Sequence, residues 1–247
     1  MNIIGIIQAR IGSSRRPNKI FADINGKPLI EFLIARMEAV NKINKLIIAT
    51  TEEQEDDKLE EWSIRNNISC FRGSRDNVLS RFYYCALKYQ ADIVVRITAD
   101  DPLKDPFVTN HAIELLLKDD DIDYVSNTII PTYPEGIDIE VFRFNALKMA
   151  FNSATKESDL EHVTPYIWRN KKIFKSLNFT ADEDFSKLRL TVDYEEDLFV
   201  ISSIMKKFNN KPLVSYNDVV NYLIESPEIT SVNSNIIRNE GYIKSIK

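Results

Sequence analysis

The sequence predicts an α/β fold, a mostly parallel sheet with helices on both faces. Three observations carry this. Residues 2–8, 45–50 and 92–98 are apolar runs of strand length, bounded by polar residues. Such continuous runs read as strands buried on both faces. The segments between them place apolar residues at helical spacing, and strand–helix alternation feeds parallel strands through right-handed crossovers.

Residues 2–8 form the first strand. Residues 28–40 then carry Leu29, Phe32, Leu33 and Met37 on one helical face. After the strand at 45–50, residues 55–66 repeat the pattern with Leu59, Trp62 and Ile64. A short strand at 69–71 leads to a helix over 77–89, with Val78, Phe82, Cys85 and Leu87. The strand at 92–98 and a short one at 123–126 complete a βαβαβαβαβ order. The second half is less regular. Residues 137–142 alternate as a strand, 145–151 and 160–169 are helical, and 173–179 and 188–192 are extended. Residues 194–207 and 216–224 form the last helices. From Ile229 the chain is polar and is expected to be loosely attached. A single domain spans 1–247, with its core to about residue 208 and a C-terminal helix and tail from about 209.

A length of 247 residues suits one α/β domain. A 44% apolar content supplies a core. No apolar run approaches the roughly 18 residues of a membrane helix. Met1-Asn2-Ile3-Ile4 lacks the basic region of a secretory signal, so a cytoplasmic location is expected. Cys70 and Cys85 cannot build a disulfide framework or a zinc site and read as buried thiols. His111 and His162 are too few for a histidine-rich metal site. A net charge of −5 with dispersed basic residues argues against a nucleic-acid groove.

Ligands of open parallel sheets bind beyond the carboxyl ends of the strands. There the first strand is followed by Gln8-Ala9-Arg10-Ile11-Gly12-Ser13-Ser14-Arg15-Arg16-Pro17-Asn18-Lys19. Its backbone N–H groups and serines can cradle an anion, and its cations match a triphosphate; otherwise it is a solvated basic loop. It is neither a P-loop nor a dinucleotide fingerprint. Thr98-Ala99-Asp100-Asp101-Pro102 places a carboxylate where it could ligate a metal, or else forms a turn. Asp193, before Tyr194-Glu195-Glu196-Asp197, could cap a helix or ligate a metal. Asp138 and Glu140 fall on one face of the strand at 137–142 and could bind acceptor hydroxyls or a metal, or face solvent. Arg72-Gly73-Ser74 could contact a base or ribose, or be a capped loop. His162 could bind an acceptor or be structural. No Gly-x-Ser-x-Gly elbow is present, which argues against a serine hydrolase.

Gln8-Ala9-Arg10 with Gly12-Ser13-Ser14-Arg15, Pro17 and Lys19 resembles the N-terminal signature of cytidylyltransferases, including those that activate 3-deoxy-manno-octulosonate and sialic acids. The branch of the spore coat polysaccharide biosynthesis protein SpsF is closer. Its pattern continues through Arg72-Gly73-Ser74, residues 96–102, Tyr124-Val125-Ser126-Asn127, residues 133–142, residues 161–166 and Leu188-Arg189-Leu190-Thr191-Val192-Asp193. It covers about residues 3–205.

The resemblance implies a nucleotide-diphospho-sugar transferase (Rossmann-like) fold, a three-layer α/β/α sandwich. It implies that CTP meets Ala9, Arg10, Gly12, Ser13, Ser14, Arg15, Lys19, Arg72, Gly73, Ser74, Thr98, Ala99 and Asp100. Lys19, Arg10, Arg15 and Asp100 would carry catalysis, with Mg²⁺ on Asp100 and Asp193, while Asp138, Glu140 and His162 stay the candidates that the residues themselves offer for the acceptor. An acceptor oxygen would attack the α-phosphorus and expel pyrophosphate, for surface polysaccharide or glycoconjugate synthesis. Two departures stand out: Asn18 replaces the usual loop glycine, and Ala99 the glycine before Asp100. A GT-A-like glycosyltransferase and a non-catalytic nucleotide-binding protein are the alternatives. The acceptor's identity and the oligomeric state are open, a homodimer being the state that relatives suggest.

Overall fold

The structure, a computed structural model, describes residues 1–13 and 15–246. Its first half runs through β1 (Ile3–Gln8), a short hairpin of β2 (Asp23–Ile24) and β3 (Lys27–Pro28), α1 (Leu29–Glu38) and β4 (Lys45–Thr51). There follow α2 (Asp57–Arg65), β5 (Ser69–Gly73), α3 (Val78–Lys88), β6 (Ile93–Thr98), α4 (Pro106–Leu117) and β7 (Tyr124–Ser126). The second half comprises β8 (Glu140–Arg143), α5 (Phe144–Ser153), α6 (Glu157–His162), α7 (Pro165–Arg169) and β9 (Ser176–Asn178). It ends with α8 (Glu195–Lys207), α9 (Tyr216–Glu225), α10 (Pro227–Thr230) and α11 (Glu240–Ser245). No helix among the described residues is long and apolar enough to cross a membrane.

Seven strands form one sheet in the order β5-β4-β1-β6-β8-β7-β9. β1 pairs in parallel with β4 and β6, and Gln8 lies opposite both Ala49 and Thr98. The carboxyl ends of these strands therefore stand side by side. Side chains of β1 alternate between faces, as the strand period requires. Ile3 and Ile7 join a core with α1, α4 and α8, whereas Ile4 and Ile6 join one with α3 and α5. This is the expected three-layer α/β/α sandwich.

Four expectations need correction. β7 does not lie beside β6, because β8 enters between them, antiparallel to both. Residues 188–192 form no regular strand; Arg189 only bridges Glu135. The helix expected over 160–169 is two helices, α6 and α7. Val163 adopts φ 71° between them, rare for a β-branched residue, and interrupts the helical backbone there.

The fourth is the tail, which is tied down at several points. Asn233 donates to the carbonyl of Arg189 and to Asp197 at 3.2 and 3.0 Å. Arg238 pairs with Asp138, and the Asn239 amide donates to Glu135 at 2.8 Å. Tyr194 donates to Glu240 at 2.6 Å. A polar sequence here marks polar contacts rather than detachment.

Candidate active site

A cavity of about 1100 Å³ opens at the carboxyl ends of β1 and β6. Ala9, Arg10, Ser13, Arg15 and Lys19 enter it from the loop after β1, and Thr98, Ala99 and Asp100 from the end of β6. Asp193 lines it from the turn before α8.

The loop after β1 is shaped by its own backbone. Ser13 and Asn18 both donate to the carbonyl of Ile11, at 2.8 and 3.1 Å. Ile11 is anchored by donating to the buried Asp56 at 2.7 Å. Asn18, which replaces the usual glycine, sits in the left-handed region at φ 58°. Asparagine is among the few residues that visit this region readily, so the exchange keeps the turn. Gly12 turns away from the main cavity to pack against Glu55. Ser14 lies outside the described residues.

Lys19 joins the two carboxylates. Its Nζ lies 2.5 Å from Asp100 Oδ2 and 2.7 Å from Asp193 Oδ1. Arg15 meets the same Asp193 oxygen at 2.8 Å. Burial opposes the Lys19 charge, but Asp100 and Asp193 more than offset it and raise its pKa. Burial likewise opposes ionised Asp100, and Lys19 reverses the effect and holds it below the usual carboxylate range. Asp193 is not the helix cap. Tyr194 is the N-cap of α8, and Asp197 in the first turn accepts from the amides of Asp193 and Tyr194 at 2.9 and 3.1 Å. The Asp193 carboxylate is thereby left for the cavity.

The proposed acceptor residues also line the cavity. Asp138 precedes β8 instead of sharing its strand with Glu140, because that strand begins only at Glu140. Burial pushes Asp138 up to about 6, with Arg238 opposing. Glu140 is engaged by Arg96 and accepts from Tyr124 at 2.6 Å and Thr164 at 2.5 Å. It is a structural anchor of the wall. His162 is pushed down to about 4 by burial and then by Arg96, so it is neutral near pH 7. Its Nε2 lies 2.9 Å from Ser245 Oγ, and its ring meets that of Tyr242 edge-on.

Arg72, Gly73 and Ser74 are not among the residues that line the cavity. Arg72 bonds Asp57 at 2.6 Å, Glu60 at 2.9 Å, and the carbonyls of Thr51 and Glu53, both at 2.9 Å. The next residues, Arg75, Asp76, Asn77 and Val78, line the cavity instead, together with Arg81 of α3. Sequence reasoning assigned no role to Arg81, Arg96, Lys104 or Arg189. A charge inside the apolar runs at Arg96 and Arg189 was the available signal. It also missed the wall from Asn239 to Ser245, whose partners are distant in sequence.

A cluster of cations and two acidic side chains at the carboxyl end of a parallel sheet suits a nucleoside triphosphate. Comparison with known proteins agrees. The family described as Cytidylyltransferase matches residues 4–201. An uncharacterized protein of Methanocaldococcus jannaschii is 36% identical over 244 residues, covering 98% of each chain. The spore coat polysaccharide biosynthesis protein SpsF of Bacillus subtilis is 32% identical over 234 residues, 92% of this chain and 96% of that one. A solved cytidylyltransferase from Leptospira borgpetersenii superposes with a TM-score of 0.89 at 31% identity, covering 97% of this chain and 98% of the other. With its fold, its cation-rich strand-end cavity and this similarity along nearly its whole length, the chain belongs to the cytidylyltransferase family and is a nucleotidyltransferase.

Proposed function

We propose that the protein transfers CMP from CTP to an oxygen of a sugar-like acceptor and releases pyrophosphate, in the synthesis of a surface polysaccharide or glycoconjugate. The observation that carries this reading is Lys19, whose ammonium joins Asp100 and Asp193 within one cavity, with Arg15 beside them. The acceptor oxygen bonds to the α-phosphorus as the bond to the departing pyrophosphate oxygen breaks. Such transfers depend chiefly on positioning and charge neutralisation. Arg10, Arg15 and Lys19 hold the phosphates and offset the charge that grows on pyrophosphate. Glu140 and Asp138, fixed by Arg96 and Arg238, shape the opposite wall for the acceptor.

Asp100 and Asp193 offer hard oxygen donors that already converge on one cation, the Lys19 ammonium. Magnesium is commonly held by one or two carboxylates with phosphate oxygens and water completing its shell, so this pair fits it. When bound, the ion supplies positive charge against the phosphates and the acceptor.

Pyrophosphate release is the test, with CTP, magnesium and a panel of sugar acids and sugar phosphates. Release that depends on CTP and one acceptor is expected. Lys19→Ala and Asp100→Asn should each lower turnover roughly 10²–10³-fold, as for other lost electrostatic stabilisers. Near-normal rates in both variants would remove the site assignment. Transfer from a ready-made nucleotide sugar without pyrophosphate would establish a glycosyltransferase instead.

A further inference from the structure

The C-terminal wall of the cavity changes character at Asn239. Up to that residue it is anchored: Asn233 is buried, Arg238 pairs with Asp138, and the Asn239 amide donates to Glu135 at 2.8 Å. Asn239 itself sits in the left-handed region at φ 54°, and α11 begins at the next residue. None of the six residues of α11 is buried. Side chains near its two ends hold it: Tyr194 donates to Glu240 at 2.6 Å, and Ser245 Oγ lies 2.9 Å from His162 Nε2. Between them the Tyr242 ring meets those of His162 and Trp168 edge-on, with centroids 5.1 and 6.2 Å apart. A Cβ on Gly241 would stand only 3.3 Å from Arg15 Nη1, so the backbone of α11 lies close to this guanidinium. The helix thus spans from the loop after β1 to the wall of His162, and Glu240, Gly241, Tyr242, Lys244 and Ser245 all line the cavity.

We infer that α11 is a lid, hinged at Asn239, that opens to admit the nucleotide and closes over its phosphates. This rests on the CTP reading above. With α11 in place the cavity still measures about 1100 Å³, so the helix roofs the space and does not fill it. A segment with no buried side chain and few tertiary bonds opens at small cost, whereas the anchored residues before it do not. Closure over Arg15 keeps water from the α-phosphorus. Water there would take the acceptor's place and hydrolyse CTP to CMP and pyrophosphate.

Amide hydrogen exchange of the full chain tests the lid, alone and with magnesium plus CTP or inorganic triphosphate, with calorimetry showing that each ligand is bound. A helix of six residues does not persist off its support, so opening exposes its amides. In the free protein residues 240–246 should exchange faster than β1. Either ligand should slow them roughly tenfold or more, since the lid meets Arg15. Tyr242→Ala combined with Ser245→Ala removes the ring contacts and one hydrogen bond of the closed state. It should weaken CTP binding roughly tenfold and leave the ligand-free melting temperature unchanged. Bound CTP that leaves the exchange of 240–246 unchanged, or free protein in which they exchange as slowly as β1, makes α11 a fixed wall and overturns the lid while the CTP reading stands. Unchanged CTP affinity in the double variant also overturns it. The wild-type exchange decides the matter even where that variant folds poorly. Protection by inorganic triphosphate in a protein that binds no CTP supports the lid and removes the CTP reading.

Discussion

Arg189 Nη2 stands 3.3 Å from Asp193 Oδ2, so the carboxylate that meets Lys19 and Arg15 on one side is held by a third cation on the other. Arg189 also pairs with Glu135 at 2.5 Å and Asp197 at 2.8 Å, all three groups being buried. Arg189→Met strands two buried carboxylates and should destabilise the protein by about 3–5 kcal/mol in urea denaturation. Arg189→Lys should recover only part, because an ammonium cannot span the three partners in one geometry.

Lys19 and Asp100 should show strong coupling in a double-mutant cycle. Lys19→Ala alone leaves Asp100 and Asp193 facing each other without their shared cation. Lys19→Ala combined with Asp100→Asn removes one of those charges. Chemical denaturation should find the double variant more stable than the sum of the single losses predicts, with a coupling of about 0.5–3 kcal/mol. Additive losses would mean that the contact has no energetic weight.

His162 predicts a pH dependence. Its folded pKa of about 4 lies below the ordinary 6.5, so the unfolded chain takes up the proton first as pH falls. The contribution is fully present above pH 6.5 and is lost progressively toward pH 4. At roughly 1.4 kcal/mol per pKa unit, the loss by pH 4 is on the order of 3 kcal/mol. His162→Gln should flatten this part of the acid limb. The comparison is between the two stability curves from pH 7 to 4, and identical slopes would refute it.

Gly136 and Gly26 both have positive φ, at 99° and 91°, but only Gly136 is crowded. A Cβ on Gly136 would stand 2.6 Å from the backbone of Leu190, whereas one on Gly26 meets nothing within 4 Å. Gly26→Ala should cost about 1 kcal/mol, from backbone strain alone. Gly136→Ala adds a backbone clash and should cost at least twice as much, since at this crossing Glu135 donates to the Leu188 carbonyl and accepts from the Leu190 amide. Thermal melts of the two variants make the comparison.

Arg238→Ala should loosen the C-terminal wall. It removes the pair with Asp138 and a 2.9 Å bond to the Tyr133 carbonyl. Amide exchange over residues 231–246 should quicken by roughly tenfold or more, while β1 is unchanged. Uniform acceleration across the chain would point to global destabilisation.

How much was legible follows from how local each signal was. β1, β4 and β6 declare themselves as apolar runs, and α3 declares its start with Asn77, which accepts from the Ser80 amide at 2.8 Å. Asp100, Lys19 and Asp193 were legible because strand ends in such sheets carry chemistry and because the motifs resemble a family. The partners of Arg72, Asp57 and Glu60, were not legible, because they lie in a helix whose acidic residues look merely solvated. The place of β8 depends on pairings with Ile93–Arg96 and Tyr124–Ser126, which no local pattern encodes. The tail reads as loose because each of its polar residues is ordinary alone; only the folded sheet brings Glu135, Asp138 and His162 within its reach.

The separation of partners along the chain has a consequence for folding. Arg15 and Asp193 lie 178 residues apart, Lys19 and Asp100 81, and Glu135 and Asn239 104. A chain that has assembled only β1, β4 and β6 has a sheet but no pocket, because the remaining walls have not arrived. A complete cavity therefore needs contacts between distant parts of the chain, including its C-terminal residues. Since ligand stabilises only what can bind it, nucleotide would protect finished molecules and leave half-built ones exposed to proteases.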